Sequence, residues 1–434
     1  MKKIFALLLV LCLATALFVG CAPADNETGT DNVGGDETAT PAGKIKIGAI
    51  LIGDENEGYT YAHIKGIQDA VKALGEDKVE VIWKYNVADN TDAAYPAAVD
   101  LVEQGCTYVF SNSYGHQSHM LRAAMEYPEV KFVAVTGDTA KKDNLPNFSN
   151  AFNATYQSRY VSGVVAGLKI KELVDGGKLT DKNLDANGNV KIGYVGAFPY
   201  AEVVSGYTAF YLGIKSVYDK VVMNVSYTNS WFDPIAEGAA AEAFIADGCV
   251  VISQHADSTG APSAVEAKNK AGTTVFCVGY NIDMLAVAPT SALTSATNDW
   301  SVYYTYAIGQ ALKGEAIATN WAKGYSDDAV GITKLGTACA ADTATKVAEV
   351  EAALKAGTTK VFDTTTFTAK EAAGVKVDEN GKVTEYLADI DGDFTGETHV
   401  VKEGYIDESN AEEFRSAPYF ALRIDGIIEN SDEK

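Results

Sequence analysis

Apolar and polar positions follow two periods along most of the chain, one typical of strands and one typical of helices. From residue 44 onward, short runs rich in β-branched residues alternate with segments in which apolar residues recur every three or four positions, as Ile64, Ile67, Val71 and Leu74 do. The pattern predicts strands at residues 44–52, 79–86, 106–111 and 130–136, with helices between them. Strands that alternate with helices indicate parallel sheets with right-handed crossovers.

This order of elements occurs twice. The second series predicts strands at residues 190–197, 221–228, 249–254 and 274–279, and helices near residues 203–214, 235–246 and 264–271. Matching residues recur in register at offsets of 145, 143 and 144: Lys46-Ile47-Gly48 with Lys191-Ile192-Gly193, Gly105-Cys106 with Gly248-Cys249, and Phe132 with Phe276. The duplication predicts two α/β lobes that face each other through the carboxyl ends of their strands, where open parallel sheets bind ligands. Two independent, similar domains are the alternative.

The predicted loops at these strand ends are rich in aromatic residues, carboxylates and amides. They cover residues 53–61, 112–114, 198–200, 229–234, 255–258 and 280–283. Aromatic rings on both sides of a cleft can stack on a flat ligand, with a gain on the order of 1–3 kcal/mol per ring. Carboxylates and amides can accept hydrogen bonds from ring N–H groups or sugar hydroxyls. The set predicts a binding cleft, although a single polar residue here can equally be a loop or helix cap.

The first 43 residues differ from this pattern. Two lysines precede an apolar run over residues 4–19 and a small residue before Cys21, an order typical of a secretory signal whose cleavage leaves cysteine first. The run is short for a spanning helix, which needs roughly 20 residues. We therefore predict a removed lipoprotein signal peptide at residues 1–20, followed by an acylated Cys21 and a disordered acidic linker over residues 21–43. An ordinary signal peptide with an incidental cysteine is the alternative.

Composition narrows the class of protein further. The net charge of −23 is spread along the chain and argues against nucleic acid or anionic lipid as a partner. A hydrophobic content of 47% indicates a globular body, and about 390 residues beyond the linker favour two lobes over one. The remaining cysteines show no close spacing typical of disulfides or zinc sites, so we interpret them as small buried residues: Cys106, Cys249, Cys277 and Cys339.

Six blocks of sequence, taken in order, resemble one family of binding proteins. They are Gly58-Tyr59-Thr60-Tyr61-Ala62-His63, Tyr156-Gln157-Ser158-Arg159-Tyr160, Ala197-Phe198-Pro199, the run from Thr228 to Pro234, Gln254-His255-Ala256-Asp257-Ser258 and Gly279-Tyr280-Asn281-Ile282-Asp283-Met284. The sequence resembles the Bmp (basic membrane protein) family of substrate-binding lipoproteins, the extracytoplasmic receptors of ABC importers. The resemblance runs from residue 44 to residue 300 and resumes at Phe414-Arg415-Ser416-Ala417-Pro418-Tyr419.

This resemblance implies a type I periplasmic-binding-protein fold, α/β, with two parallel-sheet lobes joined by three crossovers. We expect the N-terminal lobe to contain residues 44–153 and about 288–325, and the C-terminal lobe residues 154–287 and about 326–434 with an extended C-terminal segment. The implied function is capture of an adenine-like purine nucleoside or nucleobase and its delivery to an ABC permease and ATPase. We expect a monomer without cofactor, held by lipid on the extracytoplasmic face of the cell membrane, and not an enzyme.

The same resemblance implies a set of ligand-binding residues. Tyr59 and Trp231 lie in matched loops and are expected to sandwich the base, while Asp257, Asn281 and Asp283 are expected to bind ring nitrogens or ribose hydroxyls. The other candidates are Thr60, Tyr114, Asn229 and Trp300. The segment around Asn112-Ser113-Tyr114 follows the family pattern only loosely, which leaves the contact there open.

Other functions find less support in the sequence. It has no Gly-x-Ser-x-Gly elbow, Walker-type phosphate loop or His-Glu-x-x-His motif, and we interpret His116 and His119 as a solvated helix face. The acidic run at residues 389–393 lacks the glutamate of a calcium loop, so we predict no metal site. A sensor receptor of the same fold for a sugar or another small molecule stays open. A nucleoside hydrolase is a weaker alternative.

Overall fold

The computed structural model describes residues 43–390 and 395–430. The first series of elements follows the predicted order closely. Its bounds are β1 Ile45–Ile50, α1 Gly58–Leu74, β2 Val79–Lys84, α2 Ala94–Glu103, β3 Tyr108–Ser111, α3 Gln117–Glu126, β4 Lys131–Val135, α4 Ala140–Asp143 and β5 Phe148–Ala151. The four predicted strands are all present, and β5 was not predicted.

The second series repeats this order after a long helix. Its bounds are α5 Thr155–Asp175, β6 Val190–Gly196, α6 Ala201–Lys215, β7 Val221–Tyr227, α7 Pro234–Asp247, β8 Val251–Gln254, α8 Gly260–Lys270, β9 Phe276–Tyr280 and β10 Ala292–Asn298. The strands predicted here are confirmed to within a few residues at each end.

The remaining elements are α9 and the C-terminal segment. Their bounds are α9 Trp300–Lys313, β11 Asn320–Trp321, β12 Val330–Ile332, α10 Thr343–Lys355, β13 Val375–Val377, β14 Val383–Ala388, β15 Thr398–His399, β16 Val401–Lys402, β17 Tyr405–Ile406 and β18 Ile427–Asn430. Among the described helices, none is both long and apolar enough to cross a membrane.

Two main sheets contain most of these strands. The first has the order β11-β5-β4-β3-β1-β2, and every pair in it is parallel. The second has the order β12-β10-β9-β8-β6-β7-β18 and is parallel except for β12, which runs antiparallel to β10. The core of the second order matches that of the first, as the internal duplication predicts. Parallel sheets with covering helices are the architecture expected from the alternating pattern.

Two glycines at equivalent positions of the duplicated halves have the same packing role. Gly48 in β1 and Gly193 in β6 lie under α2 and α7, where an added Cβ would come within 2.6 Å of Leu101 Cδ1 and of Phe244 Cγ respectively. Each helix therefore packs directly on the strand backbone, and a larger residue at either position would push the helix away.

The chain passes between the two sheets three times, and the passages bond to one another. After β5, Phe152 N donates to Trp321 O (3.1 Å) and Asn153 Nδ2 to Ala329 O (3.1 Å). At the start of α9, Asp299 N donates to Ala329 O (2.9 Å). The three crossovers thus run side by side. Strand pairing places residues 292–298 in the second sheet, so this crossover follows β10 instead of lying near residue 288 as expected.

The C-terminal segment packs mainly on the second sheet. Its Phe362 and Phe420 rings are 4.6 Å apart in the same apolar cluster as the β6–β7 residues, and β18 extends that sheet beside β7. It also contacts the first sheet: buried Arg415 donates from Nη2 to Thr136 O (2.7 Å) and from Nε to Gly137 O (3.0 Å). The segment therefore touches both sides of the cleft.

Two smaller expectations are corrected or sharpened. His116 does not lie on a solvated face, because it is fully buried and its Nε2 lies 2.9 Å from Val87 O. The free cysteines Cys106, Cys249 and Cys277 are buried as predicted, whereas Cys339 is half-buried. Cys21 and most of the acidic run at residues 389–393 lie outside the described residues.

Candidate functional site

A cavity lies between the carboxyl edges of the two sheets, where the duplicated architecture predicts a cleft. The empty space between its walls amounts to about 440 Å³, part of it open solvent. Both sheets contribute to its wall, which consists of Ile52, Glu57, Tyr59, Asn112, Ser113, Tyr114, Thr136, Phe152, Glu202, Trp231, His255, Asp257 and Tyr280. Of the predicted binding residues, it brings together Tyr59, Tyr114, Trp231 and Asp257.

The two edges approach each other closely at the start of α1. A Cβ added to Gly58 would lie 3.4 Å from Ile282 Cγ1 and 3.5 Å from Asp257 O. The first turn of α1 therefore lies close to the loops of the second sheet, at a distance where an added Cβ would make ordinary van der Waals contact. The cavity is narrow here and wider toward Tyr114 and Arg415, where a second chamber continues it.

Tyr59 forms an aromatic part of the wall on the first-sheet side. Its hydroxyl donates to Asn112 O, and its ring meets the His63 ring edge-on at 4.5 Å between centroids. Both contacts fix the ring, so that it needs little further ordering when a ligand arrives. Tyr114 lies at the mouth, 40% exposed, with its hydroxyl 3.1 Å from Asp138 Oδ2.

Trp231 and Tyr280 supply rings from the second-sheet side. The Trp231 ring packs edge-on against Phe198 at 5.2 Å and is tilted against Tyr200 at 5.9 Å, so one part of it stays open to the cavity. Under Tyr280 lies the guanidinium of buried Arg159, 3.6 Å from the ring centroid. This cation–π contact holds the Tyr280 ring against the cavity.

Glu202, in the first turn of α6, presents a carboxylate to the cavity. Its Oε2 lies 3.4 Å from His255 Nε2, and its side chain is 18% exposed. Burial lowers the pKa of His255 to about 4, so the ring is neutral at neutral pH. Burial raises the pKa of Glu202, whereas an N–H donor on the neutral His255 ring and the positive charges of Arg415 and Arg159 lower it, and the net direction is downward. Glu202 is thus an ionised acceptor.

Asp257 lies on the wall in a different environment. Its Oδ1 accepts a hydrogen bond from Asn281 Nδ2 at 2.6 Å, and its side chain is buried. Burial, together with the carboxylates of Glu57, Glu237 and Glu202, raises the pKa of Asp257 well above its usual range. Asn281 therefore contacts Asp257 and does not line the cavity, although the sequence predicted it as a ligand-binding residue.

Glu57 is the third carboxyl on the wall, and it caps the N-terminus of the helix that follows it. It is the N-cap of α1, and its Oε2 accepts from Thr60 N at 3.0 Å. A carboxylate at a helix N-terminus satisfies unpaired N–H groups and interacts favourably with the helix dipole. Burial raises the pKa of Glu57 against these hydrogen bonds.

Besides Asn281, four predicted residues do not reach the cavity wall. Thr60 is fully buried, and its Oγ1 accepts from Gly53 N (3.3 Å) within the first loop. Asn229 forms a turn after β7 with φ of 55°, and Asp283 is exposed and caps a short 3₁₀ helix through Leu285 N. Trp300 is buried with its ring stacked on His63 at 4.2 Å. These residues lie near strand ends, but their side chains do not line this cavity, and their role in ligand binding stays a prediction.

Several wall residues were missed as candidates, above all Glu202, Glu57 and Tyr280. Glu57 and Tyr280 lie in loops that the sequence singled out, but nothing separated them from their neighbours. Glu202 had one usable signal: it lies 145 residues after Glu57, the same offset that relates Lys46 to Lys191. The internal duplication could therefore have found it.

The arrangement suits an uncharged, flat ligand that offers N–H or O–H donors. Three carboxyl groups and five phenylalanine, tyrosine or tryptophan rings face the cavity, and its described wall contains no lysine or arginine. A phosphate in this part of the cavity would meet three carboxyl groups, because Arg415 lines only the second chamber. Among the described residues, no cluster of side chains could hold a metal ion.

Comparison with known proteins places this geometry in a family. The model of the family described as Bmp, "ABC transporter substrate-binding protein PnrA-like", matches residues 49–365. The chain is 33% identical over 322 residues to a purine-binding protein of Brucella abortus, covering 74% of this chain and 83% of that protein. It is 30% identical over 291 residues to a provisionally named ABC transporter glucose-binding protein of Haloferax volcanii, covering 66% of this chain and 64% of that protein.

Solved structures agree on the fold. An ABC transporter solute-binding protein of Aeropyrum pernix superimposes with a TM-score of 0.61 at 15% identity, covering 72% of this chain and 92% of that one. At this identity the similarity concerns architecture alone. The predicted α/β fold of the type I periplasmic-binding-protein kind is confirmed.

Proposed function

Because this chain belongs to the Bmp family of ABC transporter substrate-binding proteins, we propose that it captures an adenine-like purine nucleobase or nucleoside between its two sheets and delivers it to a membrane permease and ATPase. The family and its structural neighbours are solute-binding proteins, not enzymes. The finer assignment to a purine rests on the cavity wall, with support from the name of the Brucella relative.

One observation carries the purine assignment: rings and carboxyl groups share one narrow cavity. Trp231, Tyr59 and Tyr280 offer aromatic surface to a flat ligand, and stacking on each ring is worth on the order of 1–3 kcal/mol. Glu202 and Asp257 offer hydrogen-bonding groups for the edge of that ligand. A purine base combines a flat ring with N–H donors and ring nitrogens.

The capture mechanism is closure of two lobes. The two sheets with their helices form the lobes, and the three hydrogen-bonded crossovers form the hinge. A ligand that contacts both walls favours the closed arrangement over an open one by its differential affinity. The permease then recognises the closed form. Small-angle scattering should show a smaller radius of gyration with adenine than without it, and an unchanged radius would argue against closure.

Titration calorimetry with adenine, adenosine, guanosine, inosine, glucose and adenosine monophosphate tests the ligand class. We expect at least one uncharged purine to bind most tightly, and the nucleotide to bind far more weakly than adenosine. Tight binding of glucose without binding of any purine would overturn the purine assignment. That outcome would instead support a sugar receptor, which the Haloferax relative makes the second candidate.

We further propose that Cys21 is acylated after removal of residues 1–20, so that residues 21–43 tether the binding body to the membrane. Receptors of this class work outside the cytoplasm, and two or more acyl chains give stable anchoring. Cys21→Ser should move the protein from the membrane fraction to the soluble fraction while purified protein still binds ligand. Retention of the variant in the membrane fraction would refute acylation at this residue.

A further inference from the structure

The three carboxyl groups of the cavity wall have unequal partners. Glu57 accepts from the backbone of its own helix, and Glu202 has His255 beside it with Arg159 and Arg415 nearby. Asp257 has one hydrogen bond among the described residues, from the neutral amide of Asn281. Of the three, it is the carboxyl with the least support for a negative charge.

We propose that Asp257 recognises its ligand as a neutral carboxylic acid, donating its proton to a ring nitrogen with a free lone pair, while Glu202 recognises the same ligand as a carboxylate. This inference rests on the proposed function and names a specificity determinant within it. A neutral acid offers a donor and an acceptor side by side, which matches the ring nitrogen and amino group of adenine. A carboxylate accepts only and suits a ring N–H.

The charges that surround Asp257 agree with this assignment. The groups that face it are Glu57 and Tyr59 at the start of α1, Arg159 on α5, Glu202 on α6, Glu237 on α7 and Tyr280 at the end of β9. Three of these are carboxyls and one is a permanent cation. The Arg159 guanidinium lies 3.6 Å from the Tyr280 ring centroid, and its Nη1 donates to Gln254 O at 2.6 Å. A further negative charge on Asp257 would therefore lie buried among like charges.

The direction in which the affinity for adenine changes with pH follows from the proton that Asp257 must carry to donate a hydrogen bond. A group with a raised pKa has its favourable, protonated form at low pH and loses it as pH rises through that pKa. Adenine stays neutral between about pH 5.5 and 9, so its own titration does not contribute. We therefore expect the affinity for adenine to fall as pH rises, approaching about tenfold per pH unit at the alkaline end.

The test is titration calorimetry with adenine across this pH range, on the folded wild-type chain and three variants. Asp257→Asn keeps a donor and an acceptor at every pH, so its affinity should lose most of the pH dependence. Glu202→Gln should bind adenine more weakly but keep the slope. Glu237→Gln is the control for the other buried carboxyl nearby, whose pKa burial raises to about 7, and it should also keep the slope.

Each outcome of these titrations supports or contradicts a neutral Asp257. If Asp257→Asn does not fold, wild-type titrations in two buffers with different ionisation enthalpies still count the protons taken up on binding at the steepest part of the profile. Zero uptake, a flat profile, an affinity that rises with pH, or a slope that persists in Asp257→Asn would each overturn the neutral acid. If no purine binds at any pH, the proposed function itself fails; if adenine binds without pH dependence, only this inference fails.

Discussion

Glu57 and Glu202 occupy the same position in the two halves of the duplicated chain, yet they do different things. They are 145 residues apart, the offset that also relates the strands β1 and β6. In the first half, α1 begins after Glu57, which becomes its N-cap. In the second half, α6 begins one residue before Glu202, so this carboxylate lies within the first turn and faces the cavity.

A shift of two residues in where the helix starts gives the two equivalent glutamates different surroundings. At the N-terminus of α1, Thr60 N donates a hydrogen bond to the Glu57 carboxylate. Glu202 does not cap its helix, and His255, Arg415 and Arg159 lie near it. A duplication thus placed two equal carboxyls on opposite walls. Helix capping engages one of them, and the other faces the cavity.

The largest effect should come from removing the ligand-facing charge. Glu202→Gln should lower the affinity for the bound purine about a hundredfold, because a hydrogen bond to a charged group contributes about 1.5–3 kcal/mol. Calorimetry at neutral pH measures it, with Glu242→Gln as control, since Glu242 is an exposed residue on α7. A loss of purine affinity below threefold in Glu202→Gln would contradict the distinction drawn between Glu202 and Glu57.

The next effect concerns the ring on the same side as Glu202. Trp231→Ala should lower purine affinity at least tenfold, because one stacking surface is lost. Phe232→Ala is the matched control: its ring is next in sequence and 43% exposed, but it is absent from the cavity wall. Equal affinities for wild type and Trp231→Ala would remove this ring from the site.

The smallest effect on binding should come from the capping carboxyl. Glu57→Ala should destabilise the fold by about 1 kcal/mol through loss of the N-cap, and change purine affinity less than Glu202→Gln does. Thermal unfolding and calorimetry on the same samples measure both. Should Glu57→Ala keep its melting temperature and lose binding, the roles assigned to the two carboxyls would be reversed.

The strands and helices of the two series were predictable because burial imposes periodicity on the sequence itself. The site was predictable only in part. Tyr59, Tyr114, Trp231 and Asp257 lie on the cavity wall, since loops at the carboxyl ends of parallel strands must converge. Trp300 and Thr60 do not line the wall, because a residue near that edge can point inward, and both are buried in local packing. Nothing in their sequence neighbourhood distinguishes the two directions.

The sequence by itself determined the alternation of strands and helices, the duplication and the family, because all three are encoded in residue order and type. Tertiary structure alone decided which carboxyl lies beside a histidine, which is surrounded by like charges and which caps a helix. These properties depend on distances between residues far apart in the chain, such as Glu202 to His255 and Asp257 to Asn281. Electrostatic energy depends on separation and burial, and neither is set by sequence position.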